Sequence, residues 1–350
     1  MKKKPAKVDM ELKTYAAPTN SERRVAFDEV LREVYPEMNF LQSPAWASVN
    51  LQVGYKVCNF VDTEQKISCQ MIVKNAKRGR YLEVPGGPLL NWQDQAAVTR
   101  VFEEMRQTAK AEKCVFVRLR PQLPKTEENM RLLAAQGAVP APMHLHAEHT
   151  VMLNLTKSED ELLADMRRQT RYEVRRADRL NLCVEWGNSE KSFREFHEVQ
   201  AETAARQHFV PPDLKTLLAE RTAFGENARL YIVRTAEGYP VAYGLILIDG
   251  VEAEYFEAAS TELNQKMPGS YALLWRAIRD LKALGLKRFN LWGIAPPGQK
   301  NHRYSGVTTF KTGFGGEVVE FVPAHDLIIK PLRYKINWLI EMARKKKRHL

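Results

Sequence analysis

The segment Phe310-Lys311-Thr312-Gly313-Phe314-Gly315-Gly316 sets one lysine between an aromatic side chain and a run of glycines. A lysine held there can project into a cleft, where its ammonium would stabilise a developing oxyanion or a phosphate. The Pro/Gly-rich stretch 295–306 precedes it. A second candidate is a line of cations. Arg167, Arg171, Arg175 and Arg179 recur every fourth residue, so a helix there puts them on one face, with Arg168 and Arg176 beside them. Only Asp165, Glu173 and Asp178 offset them, and such a face suits a phosphate backbone. A third candidate is the loop Asn264-Gln265-Lys266-Met267-Pro268-Gly269-Ser270 ahead of a helical pattern. Backbone N–H groups at a helix start can hold a phosphate, but one glycine after a proline makes a poor cradle. His144, His146 and His149 invite a metal reading. No cysteine or carboxylate cluster joins them, so the expectation is a polar connector and no metal.

Elements of both periodicities alternate along the chain and must position these groups. Helices are expected at 22–35, 95–112 and 127–136, with strands at 53–62, 67–73, 81–84 and 114–119. The stretch 138–149, with Pro140 and Pro142, reads as a domain boundary. A second unit follows. Strands are expected at 150–155, 183–187, 228–235, 241–248, 251–258 and 288–291. Its helices are expected at 158–180, 189–206, 212–224 and 271–284, the first capped by Ser158 with Glu161 three residues on. This order matches an acyltransferase fold of the GNAT type, and the first unit is a looser version of it. The fold class is therefore α/β (α+β) with two GNAT-like domains. The N-terminal one is expected at 8–148, completed by 318–343, and the C-terminal one at 149–317, with a basic tail at 344–350.

The 350 residues suffice for two domains with sizeable cores. No apolar run is long enough to cross a membrane. The start is charged, so no secretory signal is expected. Cys58, Cys69, Cys114 and Cys183 lie far apart, which fits a reducing, cytoplasmic setting. Net charge is +11, of which residues 1–7 hold +4 and residues 341–350 hold +4, leaving +3 for the body. Basic ends suit an anionic partner, either nucleic acid or a membrane surface. Behind Pro331, residues Leu332, Ile336, Leu339, Ile340 and Ala343 share a helical face, flanked by Tyr334 and Trp338 and followed by Arg344–Arg348. A basic amphipathic helix with aromatics is a membrane-surface pattern, so peripheral attachment at the inner face of a membrane is expected.

Taken in order, several short segments resemble the FemABX peptidyltransferases, which form peptidoglycan bridges and are built from two GNAT-like domains. These segments are Asn39-Phe40-Leu41-Gln42-Ser43 with Trp46, Gly87-Pro88, Val117-Arg118-Leu119 before Pro121, and Thr170–Ala177. Further on come Tyr255 before Ala258-Ala259-Ser260, Ser270-Tyr271-Ala272, Asn290-Leu291-Trp292-Gly293-Ile294, and Phe310–Gly315. The resemblance covers nearly the whole chain. It implies aminoacyl-tRNA as co-substrate, no cofactor, and a stem-peptide amine of a peptidoglycan precursor as acceptor. It also implies that Phe310 and Lys311 stand at the reaction centre. Trp46, Arg118, Arg206, Tyr255, Glu257 and Tyr271 would bind substrate, and Arg167, Arg171, Arg175 and Arg179 the tRNA. Members acting on a soluble nucleotide-linked precursor carry a lysine just after the Trp, where Ala47-Ser48-Val49-Asn50 stands here. They carry an arginine where Pro211-Pro212 follows Arg206. An Asp is replaced by Arg120 and a Tyr by Glu257, which would stand in as the general base. These departures lean toward lipid II over a UDP-linked acceptor. There is no room for an inserted helical arm, and a monomer is compatible with the pattern. The rival readings are an N-acyltransferase using acyl-CoA and an inactive tRNA- or membrane-surface-binding protein.

Overall fold

A computed structural model describes residues 33–348 apart from 63, 145, 208, 300 and 301, and not the side chains of 346–348. The N-terminal lysines and most of the expected helix 22–35 lie outside the described residues. The chain then enters through Asn39. Its side-chain oxygen caps the short turn Phe40–Gln42, and the Ser43 hydroxyl caps α1 (Pro44–Gln52), which starts on a proline. This helix stands where the sequence pattern indicated only the approach to a strand.

The first sheet is built from β1 (Lys56–Asp62), β2 (Ile67–Ala76), β3 (Gly79–Gly86), β4 (Phe116–Pro121) and β5 (Ala138–Pro140). Helices α2 (Gln95–Ala111) and α3 (Glu127–Ala135) belong to the same unit. The second sheet opens with β6 (His149–Asn154). Next come α4 (Glu159–Asp165), α5 (Arg168–Arg179), β7 (Cys183–Gly187), α6 (Glu190–Gln207) and α7 (Leu214–Phe224). It continues through β8 (Ala228–Arg234), β9 (Pro240–Asp249), β10 (Glu252–Ser260), α8 (Gly269–Ala283), β11 (Arg288–Gly293), α9 (Ser305–Thr312) and β12 (Glu317–Glu320). The chain returns to the first sheet as β13 (His325–Ile328) and ends in α10 (Pro331–Arg348).

Strand order is β1-β2-β3-β4-β13-β5 in one sheet and β12-β6-β11-β10-β9-β8-β7 in the other. Each contains one parallel pair, β3 with β4 and β10 with β11, among antiparallel neighbours. That shared feature makes the two units alike. The return crossing falls between β12 and β13, because β12 pairs with β6. The expected boundary at 318 therefore moves past Glu320.

Apolar residues line both faces of the second sheet. One face packs Val174 and Ala177 of α5 and Leu273, Ala277 and Leu281 of α8. The other packs Phe193 and Phe196 of α6 and Leu217 of α7 together with Phe40, Leu41 and Val49 from the first unit. A single core cluster thus spans the junction.

The single helix expected over 158–180 is two. Met166 and Arg167 are extended, with no glycine or proline between the halves. The Arg167 N–H is taken by the Gly313 carbonyl at 2.8 Å, a partner 146 positions away. The C-terminal end of α4 is satisfied by Arg171, which donates to the carbonyls of Leu163, Ala164 and Met166.

Candidate active site

β10 and β11 pair only over Glu252–Glu254 and Arg288–Asn290. Beyond that both strands are irregular. β10 bulges between Tyr255 and Glu257, and β11 loses register with β6 after Asn290, where Trp292 adopts φ +62°. A non-glycine residue in this region costs on the order of 1 kcal/mol and must be held by its surroundings. Here Asn290 Oδ1 accepts from the Trp292 N–H at 2.9 Å, and the Thr150 hydroxyl donates to the Trp292 carbonyl at 3.1 Å. Backbone pairing ends at a wedge between the two strands.

Lys311 of α9 fills that wedge. Its Nζ donates to the Gly293 carbonyl at 2.9 Å and stands 5.8 Å from the centre of the Tyr255 ring. It is 8% exposed, has no acidic partner among the described residues, and burial pushes its ammonium down to about 7. An ammonium has three donors. One is used, which leaves two for a ligand.

Two contacts hold α9 in place. The Thr308 hydroxyl accepts from the Ala295 N–H at 2.8 Å, and Arg167 donates to the Thr309 carbonyl at 3.0 Å. A Cβ at Gly313 would strike the Thr170 hydroxyl, so only glycine lets α9 approach α5 this closely. Phe310, Phe314 and Tyr271 form a triangle with ring centres 5.0–5.9 Å apart, which anchors the lysine's own helix. Phe310 and Tyr271 therefore meet on the helix that carries Lys311, Arg167 is bonded to the same helix, and Tyr255 stands by the ammonium itself.

Glu257 does not join them. Tyr255 registers with Ile246 and Glu257 with Leu245, consecutive residues whose side chains face opposite sides of the sheet. Glu257 accepts from Gln200 Nε2 at 2.7 Å on the α6/α7 side, and burial pushes its carboxyl up to about 7. Burial, and the neighbouring Glu257, likewise raise the Glu220 carboxyl well above the usual carboxylate range. As a base acting with Lys311, Glu257 is misplaced.

On that same side Trp46 packs edge-on against Phe40 and Phe256, and Trp292 completes the aromatic cluster at the junction of the two units. Arg206 lies at the far end of β10, donating to the Ser260 carbonyl. Arg118 is turned inward. It forks onto Asp326 at 2.8 Å and reaches Glu341 at 2.9 Å, which ties its Nε and Nη2 into an architectural ion pair. Arg120 is buried, donating to Gln122 and lying against the Phe321 ring.

The arginine stripe is only partly free. Arg171 is consumed by the α4 carbonyls, Arg176 by Glu173 and the Lys266 carbonyl, and Arg179 lies over the Tyr172 ring. Arg168 and Arg175 are exposed and have no partner among the described residues. At the α8 start, Asn264 Oδ1 accepts from the Ser270 N–H at 2.9 Å. The chain's own carboxamide thus occupies a donor that a phosphate cradle would need free.

Two features escaped the sequence reading. His146 is half-buried against Trp292, its Nε2 3.7 Å from Glu83, and His149 and His144 are turned to Glu320 and Glu148. The three histidines diverge, and among the described residues no cluster could hold a metal. Asn39, quoted only as part of a motif, donates to buried Glu254 of β10 at 3.4 Å and so bridges the two units. A cavity of about 750 Å³ opens near Lys157, Asp165, Lys287 and Arg288, at the other end of β11 from Gly293, and contains none of the wedge residues.

The FemAB family model matches residues 27–137 and 213–342, well over half of the chain. Aminoacyltransferase FemA of Staphylococcus epidermidis is 29% identical over 83 residues, 24% of this chain and 20% of that protein. FemA of Staphylococcus aureus (strain MW2) is 28% identical over the same length and shares. The match thus spans one fifth of the length of these curated relatives. Among solved structures, the crystal structure of FemX superposes with a TM-score of 0.78 at 16% identity, covering 91% of this chain and 98% of that one. L-PGS from Bacillus licheniformis superposes with a TM-score of 0.59 at 15% identity, covering 92% and 96%. At such identities these two likenesses are of fold alone. The fold agrees with the family match, whose two segments hold Trp46, Arg118, Tyr255, Tyr271 and the Phe310-Lys311 wedge: the chain belongs to the FemAB family.

Proposed function

We propose that this protein is an aminoacyltransferase that moves an amino acid from aminoacyl-tRNA to an amine on the stem peptide of a peptidoglycan precursor, with lipid II as the acceptor. No cofactor is required. The observation that carries this reading is Lys311, a buried cation with two spare donors at the end of a strand wedge.

In the reaction the neutral acceptor amine attacks the ester carbonyl of the donor. The new C–N bond forms and the carbonyl oxygen takes up negative charge. The C–O bond to ribose then breaks, and the proton lost by the amine ends on the ribose hydroxyl. The ester is already activated, so alignment and oxyanion stabilisation suffice. Lys311 supplies the charge, and Tyr255, Tyr271 and Phe310 shape the site around it. Arg168 and Arg175, with Arg167, offer phosphate contacts on the same side of the sheet. The self-capped start of α8 weighs against an acyl-CoA donor. The absence of a lysine after Trp46 favours a lipid-linked acceptor.

The test is direct transfer. Purified protein is mixed with aminoacyl-tRNA carrying labelled amino acids and with lipid II or the UDP-linked precursor, and mass spectrometry follows the stem peptide. A mass increase that disappears in Lys311→Ala supports the reading and names the amino acid. No increase with either acceptor sinks it.

A further inference from the structure

Helix α10 is docked by its polar side and exposes its apolar side. Tyr334 donates to Asp326 at 3.0 Å, Asn337 accepts from Arg78 at 2.9 Å, and Glu341 accepts from Arg118 at 2.9 Å. These residues share one face and bind it to the first unit, with the Tyr334 ring edge-on to Phe116. The opposite face carries Leu332, Ile336 and Leu339, which are 83%, 59% and 54% exposed. Trp338 and Met342 border it and are also exposed. A helix that served only its own domain would turn this stripe inward, since burial is worth about 25 cal/mol per Å².

Cations frame the same stripe. At 100° per residue the exposed Arg333 and Lys335 flank it on opposite sides. Residues 330–350 hold eight Lys and Arg against Glu341 alone, and Glu341 is already paired with Arg118. The segment is too charged to cross a bilayer; no described helix is long and apolar enough to do so.

We propose that α10 is a membrane-surface helix that lies flat on an anionic lipid bilayer. Leu332, Ile336 and Leu339 enter the acyl boundary, Trp338 sits at headgroup level, and Arg333 and Lys335 meet the lipid phosphates. Only this partner uses both features. A second copy of the chain would bring the same positive charge against itself, and a nucleic acid would leave the apolar stripe in water. The docked polar face gives the helix a fixed orientation, so the bilayer is held against one side of the first unit. This inference rests on α10 alone and does not depend on the donor or acceptor assigned above.

The test is sedimentation of the full chain with vesicles of phosphatidylcholine alone or with about one third phosphatidylglycerol. Expected is binding to the anionic vesicles only, weakened at high salt, with a blue shift of tryptophan emission that Trp338→Phe reduces. Ile336→Glu/Leu339→Glu and Arg333→Glu/Lys335→Glu should each lower partitioning at least about tenfold. Their thermal unfolding should match the parent, because the two apolar residues face solvent. Equal affinity for both vesicle types, no binding to either, or full binding by Ile336→Glu/Leu339→Glu overturns the proposal. So does a dimer in light scattering that this double variant dissolves, which would assign the face to a second copy. RNA binding through Arg333 and Lys335 without vesicle binding would assign it to nucleic acid. Vesicle binding is read without turnover, so failure of the transfer assay would leave it standing.

Discussion

Lys311 gives up hydration for one carbonyl. The drop of its pKa from 10.5 to about 7 corresponds to roughly 4–5 kcal/mol against the charged form inside the fold. Between pH 7 and 10.5 the unfolded chain binds more protons than the folded one. The penalty is therefore full below pH 7 and is relieved as pH rises through that window. Lys311→Met should raise stability by about 2 kcal/mol at neutral pH, allowing for the lost Gly293 bond, and flatten this rise in urea titrations. It should also lower turnover at least about 100-fold. In the parent, kcat/KM should fall above about pH 7 as the free protein loses the ammonium, while neutralisation of the acceptor amine acts in the opposite direction. Glu257 runs the other way. Its folded carboxyl titrates near 7 against 4.5 in the unfolded chain, so this group's contribution falls as pH rises through that interval. Glu257→Gln should abolish that slope and keep turnover within a few-fold of the parent, because the side chain faces away from Lys311. A loss as large as that of Lys311→Met would restore Glu257 as the base.

At the element scale, the break between α4 and α5 decides which arginines are available. Arg171 closes the end of α4, so Arg171→Ala should destabilise by about 1–3 kcal/mol, read as a lower urea midpoint. Arg168→Glu/Arg175→Glu should leave stability within about 0.5 kcal/mol and weaken tRNA binding, with a shallower salt dependence. Arg118 makes the same distinction elsewhere. Removing it strands Asp326 and Glu341 in a buried network, so Arg118→Ala should cost about 3–5 kcal/mol and loosen α10 in hydrogen exchange. The motif 39–43 is explained at this scale too. Gln42 accepts from the Gln70 N–H and donates to the Gln70 and Pro85 carbonyls, stapling the entry segment across β2 and β3. A Cβ at Gly87 would collide with that carboxamide, which accounts for the glycine before Pro88.

At the scale of the whole molecule, the two units are not independent. Phe40, Leu41 and Val49 enter the chain with the first unit and pack in the core of the second, while β13, from beyond the second unit, lies between β4 and β5. Calorimetry should accordingly show one unfolding transition. Truncation after Glu320 should deprive the first sheet of an inner strand and abolish its folding, seen as loss of dispersed amide signals; two separable transitions in the full chain would contradict this.

Fold class and most of the element order were legible in the amino-acid sequence. Apolar periodicity and caps are local properties, and Ser158 with Glu161 or Gly137 after α3 can be read where they stand. The local pattern marked Phe310-Lys311 only as a candidate, and the resemblance to the FemABX family placed the pair at a reaction centre. Tertiary structure decided what no local pattern encodes. It split the helix at Met166-Arg167 because the backbone partner comes from Gly313. It put Glu257 on the opposite face from Lys311 because one bulge at Phe256 shifts the alternation. It drew Arg118 into an ion pair and His146 against Trp292, since each depends on partners far away in the chain. The amphipathic stripe of α10 was legible from residue spacing, but its outward direction was not, because only the docking of Tyr334, Asn337 and Glu341 settles which side meets solvent.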